Sequence, residues 1–360
     1  MQSKGKVMVG MSGGVDSSVA ALLLLEQGYQ VVGATFRLWN PADAGLGGES
    51  SCCSADDADD ARFVCHALGI PHYVLNYKDL FRESVVDYFV AEYRRGATPN
   101  PCIACNRHIK FGAFIQKARS MDFDFIATGH YATVERDAGG RRYRLRKGQF
   151  AAKDQSYVLY CLTQPQLAAT LMPLGGYRKE EIRAMAAEHG LLVSGKPDSQ
   201  DICFVPGGDY SAFLSQYTGK SCPRGDFVDA DGRSLGRHRG IWSYTIGQRR
   251  GLGLSFENRK YVTAIDAQSN TVTLGENEEL LRRELTARDV NWIDFDAPAR
   301  PMRLGARIRY NHAEQPATVT PLPGGGARVV FDHAQRAVTP GQAVVFYSGD
   351  YVAGGGTIEK

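Results

Sequence analysis

The sequence predicts an α/β fold with a doubly wound parallel sheet, followed by a small β-rich middle domain and a C-terminal β-barrel. Three observations predict it. An apolar strand at 6–9 runs through the glycine-serine turn Gly10 to Ser18 into an apolar helix starting at Val19. Short apolar strands then alternate with helical spacings to about residue 205, the pattern of parallel strands joined by crossover helices. Past Pro206, β-branched runs separated by glycine turns take over. At 360 residues the chain is too long for one ordinary core. The expected domains are 1–205, 206–293 and 294–360.

Val31 to Phe36 reads as the second strand, Ala55 to Leu68 has helical spacing, and His72 to Leu75 is a strand again. Helical patterns recur at Phe81 to Tyr93 and Lys110 to Arg119, and the strand Phe125 to Thr128 ends in the turn Thr128-Gly129-His130-Tyr131. In the middle domain Tyr261 to Ile265 and Thr271 to Leu274 read as strands, with turns such as Ala230-Asp231-Gly232. A linker at Asp294 to Pro301 precedes the strands Ala306 to Tyr310, Ala317 to Thr320, Ala327 to Phe331 and Ala343 to Tyr347, at the spacing of a compact barrel.

With 43% hydrophobic and 22% charged residues the composition is that of a globular enzyme, and no apolar run reaches the roughly 18 to 20 residues of a membrane span. The run Val19 to Leu25 follows a glycine loop and has no signal-peptide pattern, so a cytoplasmic protein is expected. In that compartment the eight cysteines stay thiols, suited to packing, metal binding or catalysis. The net charge of +3 does not by itself demand a polyanionic partner.

The strongest chemical signal is Ser12-Gly13-Gly14-Val15-Asp16-Ser17-Ser18 between a strand and a helix. Adjacent glycines let backbone N–H groups approach phosphate oxygens, and the helix behind adds partial positive charge. The loop lacks the lysine of a Walker loop. It therefore suits pyrophosphate as a leaving group, with Asp16 able to help hold Mg2+. Cys105 lies in Pro101-Cys102-Ile103-Ala104-Cys105-Asn106-Arg107, where Arg107, His108 and Lys110 can favour a thiolate, and Cys203 lies in Ser199-Gln200-Asp201-Ile202-Cys203-Phe204. Cys102 and Cys105 also form a CxxC; a zinc site would need further ligands, such as Cys52 and Cys53. Cys65, Cys161 and Cys222 read as packing residues.

These motifs resemble a family. SGGVDSS is similar to the PP-loop of ATP pyrophosphatases. GMSGGVDSS, TPNPCIACNRHIKFG, ATGHYA, AAKDQSYVLY, SQDICF, GIWSYTIGQRRGLG and VTPGQAVVFY, in this order over nearly the whole chain, resemble the tRNA-specific 2-thiouridylases. The resemblance implies that ATP adenylates the 2-oxygen of the wobble uridine in the tRNA anticodon arm. A persulfide, loaded by a sulfur-donor protein such as a cysteine desulfurase or sulfur-relay protein, then supplies sulfur and displaces AMP. It implies Cys203 as persulfide carrier and Cys105 as the nucleophile that releases sulfur, the pair able to close a transient disulfide. It implies ATP contacts at Gly10, Met11, Ser12, Gly13, Gly14, Val15, Asp16, Ser17, Phe36 and Gly129. Target-base contacts would be Asn100, Pro101 and Cys102. Further tRNA contacts would be His130, Lys153, Asp154, Gln155, Arg309, Tyr310 and Gln342. Cys102 departs from the family, in which this position is variable and often aspartate, and leaves open which sulfur resolves the persulfide.

Two basic segments carry aromatics between their charges. One holds Arg141, Arg142, Arg144, Arg146, Lys147 and Lys153 with Tyr143 and Phe150; the other holds Arg233, Arg237, Arg239, Arg249, Arg250 and Lys260 with Trp242 and Tyr244. Such segments neutralise phosphates and stack on splayed bases, or else form a solvated hairpin face. Two other functions compete: another PP-loop synthetase acting on a small molecule, which has no use for Cys105 and Cys203, and a non-catalytic RNA-binding protein, which leaves the loop unexplained.

Overall fold

The computed structural model describes residues 3–40, 55–196 and 202–359. Its first sheet is wholly parallel: β1 (Lys6–Gly10), β2 (Gln30–Arg37), β3 (His72–Asn76), β4 (Phe125–Ala127) and the two-residue β7 (Thr170–Leu171), in the order β3-β2-β1-β4-β7. Helix α1 (Val15–Glu26) connects β1 to β2, and α2 (Ala55–Ala67) precedes β3. The helix α1 begins four residues earlier than the apolar run predicts. Gly14 is extended (φ −101°, ψ 165°) and caps it, so the second half of the turn is already helical, with Asp16 in the first turn. The residues Val15 and Val19 to Leu24 of α1 are all buried, which fits a helix covered by sheet and neighbours alike.

Two helices flank the strand ends. One covers 78–94, with a π-helical stretch at Arg82–Val86; the other covers 101–120, with a π-helical stretch at Asn106–Ala113. Pro101 occupies the first turn of the second helix, where its missing N–H costs nothing, and the Asn100 side chain caps the Ile103 amide.

The middle sheet joins β8 (Gly225–Val228), β9 (Ser234–His238), β10 (Tyr261–Asp266) and β11 (Thr271–Gly275) in the order β10-β11-β8-β9, with β11 and β8 parallel. Trp242 and Tyr244 are buried in its core, so they do not stack on bases at the surface.

Six antiparallel strands form the C-terminal barrel: β12 (Leu281–Trp292), β13 (Met302–Arg307), β14 (Gln315–Leu322), β15 (Gly326–Arg336), β16 (Ala343–Ser348) and β17 (Tyr351–Ile358). The order β12-β15-β14-β13-β16-β17 closes through pairing of β12 with β17. Closure pairs the outer strand β12 with Gly354 to Ile358 of β17. Phe331 and Phe346 fill the interior; burial of each such side chain stabilises by about 1.5–3 kcal/mol. The barrel begins at Leu281, ahead of the expected boundary at 294, and Asp294 to Pro301 is a loop within it. The first domain also contributes to this sheet. Its hairpin β5 (Ala132–Arg136) and β6 (Tyr143–Lys147) extends β17 through the pairing of Arg146 with Tyr351.

Candidate active site

Gly10, Phe36 and Gly129 meet at the carboxyl ends of β1, β2 and β4, where ligands of doubly wound sheets collect. The turn after β1 is held from both sides. Met11 N–H donates to Ala34 O (2.8 Å), the Thr35 hydroxyl donates to Met11 O (2.9 Å), and Ser17 Oγ accepts from Ser12 N–H (3.2 Å) and donates to Gly14 O (3.1 Å). Gly13 has φ +70°, and a Cβ there would collide with the Asp57 backbone at the start of α2. A Cβ on Gly129 would stand 2.8 Å from Asp16 C and 2.9 Å from Ser17 N, so glycine lets the β4 turn lie directly on the first turn of α1. Phe36, half-buried, lies beside Gly10 with its ring edge-on to Phe114 (4.7 Å) and Tyr77 (5.6 Å).

Two lysines reach this loop from the far end of the domain. Lys179, buried, donates to both carboxylate oxygens of Asp16 at 2.7 and 2.8 Å, and Tyr131 Oη donates to the same carboxylate at 2.6 Å. Lys196 donates to Asp57 (2.7 Å) and Asp60 (2.6 Å) and approaches Gly13 O at 3.4 Å. The loop without its own lysine thus gains two cations by tertiary contact. Neither carries a sequence signal: Lys179 sits in an ordinary Lys-Glu-Glu helix start, and Lys196 simply follows Gly195.

Cys105 is buried and Cys102 exposed on the helix that starts at Pro101, and Cys203 is half-buried. The two cysteines Cys105 and Cys203, about a hundred residues apart, pack on one apolar cluster with Trp39, Phe81, Phe89 and Phe204. Phe204 anchors its neighbour Cys203 there, its ring 5.3 Å from Phe89, 5.7 Å from Phe81 and 5.3 Å from Phe213. Residues Ser199, Gln200 and Asp201, and Cys52 and Cys53, lie outside the described residues. Among the described residues no group of three or more His, Cys, Asp or Glu is placed to hold a metal ion. Cys65 and Cys161 are buried, and burial pushes both thiols up to about 11. Cys222 is half-buried, its thiol also raised by burial.

A cavity of about 260 Å3 lies behind the cysteine helix, between the helix at 78–94 and the barrel. Asn100, Ile103, Ala104, Arg107 and His108 line it at helical spacing, while Cys102 and Cys105 do not. Burial, and then the neighbouring Arg107, lower the His108 pKa, so at neutral pH His108 is uncharged.

The remaining candidate residues fall into two groups. Tyr310 is 40% exposed, Lys153 is half-buried, and His130 hydrogen-bonds Thr128 Oγ1 at 2.8 Å; burial, and then Lys110, hold His130 neutral. Other side chains are engaged within the chain. Asp154 is buried and accepts from Gly148 N–H, Ser156 N–H and Oγ, and Arg307 at 3.0–3.1 Å. Gln155 Oε1 accepts from Tyr131 N–H (3.0 Å), Arg309 donates to Arg336 O (2.8 Å), and the Gln342 amide donates to Thr98 O (2.8 Å). The first basic segment is likewise engaged. Arg142 pairs with Asp296 (2.9 Å), Arg144 with Asp294 (2.7 Å), Arg146 with Asp350 (3.5 Å) and Lys147 with Glu314 (2.6 Å). In the second segment Arg239, Arg249 and Arg250 are exposed.

Comparison with known proteins agrees with this layout. Residues 5–207 match the model described as tRNA methyl transferase HUP domain, 211–276 the tRNA methyl transferase PRC-barrel domain, and 282–358 the aminomethyltransferase beta-barrel domain. The chain is 55% identical over 358 residues to tRNA-specific 2-thiouridylase MnmA of Acetivibrio thermocellus, covering 99% of this chain and 100% of that protein. It is 51% identical to the Clostridioides difficile protein of that name, over 99% of this chain and 98% of that one. Against the Moorella thermoacetica protein it is 54% identical, over 98% and 99% of the two chains. With identity of this level over nearly the whole length and family models matching all three modules, the chain belongs to the tRNA-specific 2-thiouridylase family.

Proposed function

We propose that the chain is an ATP-dependent tRNA-uridine 2-sulfurtransferase acting on the wobble uridine. The observation that carries this reading is the joint presence of a pyrophosphate-type loop at the sheet's carboxyl edge and of Cys105 and Cys203 on one apolar cluster beside it. A uracil carbonyl oxygen is a poor leaving group. Attack of that oxygen on the α-phosphorus of ATP forms an O–P bond, breaks the bond to pyrophosphate and leaves AMP on C2. The terminal sulfur of a Cys203 persulfide then attacks C2, and AMP departs with the oxygen. The Cys105 thiolate attacks Cys203 Sγ, the S–S bond breaks toward the nucleoside sulfur, and a Cys105–Cys203 disulfide forms together with 2-thiouridine. A thiol reductant restores the pair.

Within this reading, the N–H groups of Gly13 to Ser17 at the α1 N-terminus bind the phosphates. Lys179 and Tyr131 hold Asp16 in one orientation, and Phe36 flanks the adenine. Mg2+ would neutralise phosphate charge; Asp16 is the residue that would hold it, and to do so its carboxylate would have to give up Lys179, which takes both its oxygens at 2.7 and 2.8 Å. Asn100, Pro101 and Cys102 receive the target base, and His130, Lys153, Arg309 and Tyr310 contact the tRNA. The exposed Arg239, Arg249 and Arg250 supply charge for its phosphates. The reading places the enzyme in the cytoplasm and requires a donor protein that loads Cys203; among the described residues no helix is long and apolar enough to cross a membrane.

Pyrophosphate release from ATP on addition of unmodified tRNA tests the reading. Asp16→Ala should abolish release while leaving tRNA affinity within about twofold. Cys203→Ser should still release pyrophosphate but yield no thiolated tRNA, and Cys105→Ser should load sulfur yet stall. Release independent of tRNA would point to a small-molecule synthetase instead.

A further inference from the structure

Four contacts join the barrel to the stretch before the cysteine helix. Thr98 N–H donates to Pro340 O (2.9 Å), and Gln342 Nε2 donates to Thr98 O (2.8 Å) and to Pro99 O (3.4 Å). Gly341, at φ +89°, lies so close that a Cβ there would stand 3.0 Å from the N, C and O atoms of Thr98. Two residues later Asn100 caps the helix that carries Cys102 and Cys105. A further contact holds the same helix one turn on: the Asn106 side chain donates to Val158 O (2.9 Å), and Tyr157, next to Val158, donates its Oη to the barrel's Ala343 O (2.8 Å). The start of the cysteine helix is therefore gripped on both sides by elements seated on the barrel.

We infer that Gln342 is a positioning residue: the barrel loop Pro340–Gln342 sets the backbone of Thr98 and Pro99, and through it the orientation of Asn100, Cys102 and Cys105 toward the target uridine. This rests on the thiouridylase reading for its catalytic consequence, though not for its structural one. Thr98 and Pro99 have no regular secondary structure of their own. Their carbonyls are oriented by this side chain, and an amide anchored by two acceptors holds a loop more narrowly than one. The assignment differs from a direct tRNA contact in what it predicts, because a lost tRNA contact weakens affinity, whereas a lost brace slows the chemistry with tRNA already bound.

Two variants and two readouts test it. Gln342→Ala removes the amide, and Gln342→Glu keeps the size while replacing the donor with an acceptor facing two carbonyls. In both, kcat for tRNA-dependent pyrophosphate release at saturating tRNA should fall about tenfold, with the tRNA Kd within about twofold. Hydrogen exchange of the backbone amides from Thr98 to Cys105 should speed up by a similar factor in the protein alone. A Kd raised about tenfold, with unchanged kcat at saturation and unchanged exchange, would overturn the inference in favour of a tRNA contact. Exchange needs neither tRNA nor ATP. Faster exchange in a protein that never acts on tRNA would therefore uphold the brace and refute the thiouridylase reading, while unaltered exchange with slowed catalysis would do the opposite.

Discussion

The two basic segments have nearly the same composition, yet the fold uses them differently. In the first, Arg142, Arg144, Arg146 and Lys147 lie on the hairpin β5–β6 and each meets a carboxylate of the barrel more than a hundred residues away. Arg144 also lies over the Tyr351 ring at 3.4 Å and Lys147 over the Tyr347 ring at 4.5 Å. These charges join domains. In the second, Arg237 and Arg233 pair with local aspartates, while Arg239, Arg249 and Arg250 face solvent. A run of arginines with interleaved aromatics records a need for negative partners without saying whether they are phosphates or the chain's own carboxylates.

Stability depends most on the first segment. Arg144→Ala leaves Asp294, 11% exposed, without its two-pronged partner, and should destabilise the barrel by about 2–3 kcal/mol, seen as a lower denaturant midpoint. The salt dependence of tRNA binding should stay unchanged. A reduced salt slope with unaltered stability would return this segment to RNA binding.

The second segment predicts the reverse. The double variant Arg249→Ala, Arg250→Ala should weaken tRNA binding about tenfold and flatten the log–log salt slope by about 1.5, at 0.7–0.9 per phosphate contact, without moving the midpoint. An unaltered slope would show a solvated face.

A smaller effect separates the two regions by pH. His238 is buried in the middle sheet. Its Nδ1 accepts from Gly240 N–H (3.0 Å) and Gly225 N–H (3.4 Å), so Nε2 carries the proton and donates to Asn270 O (3.1 Å). Burial lowers its pKa below 6.5. The folded state then binds fewer protons than the unfolded one. Its contribution is whole above about pH 7 and is lost as pH falls from 6.5 through the lowered folded pKa, by at most about 1.4 kcal/mol per pH unit. His238→Gln should flatten that decline in the middle domain. Thermal melts from pH 7.5 to 5.5 that keep the same slope in the variant would exclude His238 as the source.

The smallest effect is at the hairpin tip, where Arg141 is exposed. Arg141→Ala should change stability by less than about 0.5 kcal/mol. Measured beside Arg144→Ala in the same denaturant series, equal losses would mean that position along the hairpin is irrelevant.

The glycine turn after β1 and the parallel strands were legible because local chemistry requires them: a tight turn against a neighbouring backbone needs glycine, and buried parallel strands need unbroken apolar runs. Strand β12 was not, because Leu-Arg-Arg-Glu-Leu-Thr-Ala-Arg-Asp shows mostly charged outward faces and its partners β15 and β17 lie far along the chain. Strand β17 contains Gly354-Gly355-Gly356, a run without strand propensity. A Cβ on Gly355 would stand 2.7 Å from the Tyr160 ring, and one on Gly356 2.7 Å from Arg288 O, so closure of the barrel selects residues that strand propensity disfavours.

The α/β class, the glycine loop and the candidate thiols were readable from residue types within a few positions of one another. Only the tertiary structure decided that Lys179 and Lys196 serve that loop, that Phe204 seats Cys203 in the cluster of Cys105, and that Gln342 grips Thr98. Those pairings join residues separated by up to hundreds of positions. A hydrogen bond or ion pair is selected by where two atoms meet in space, and a lone Lys or Gln carries no local pattern that reveals its partner.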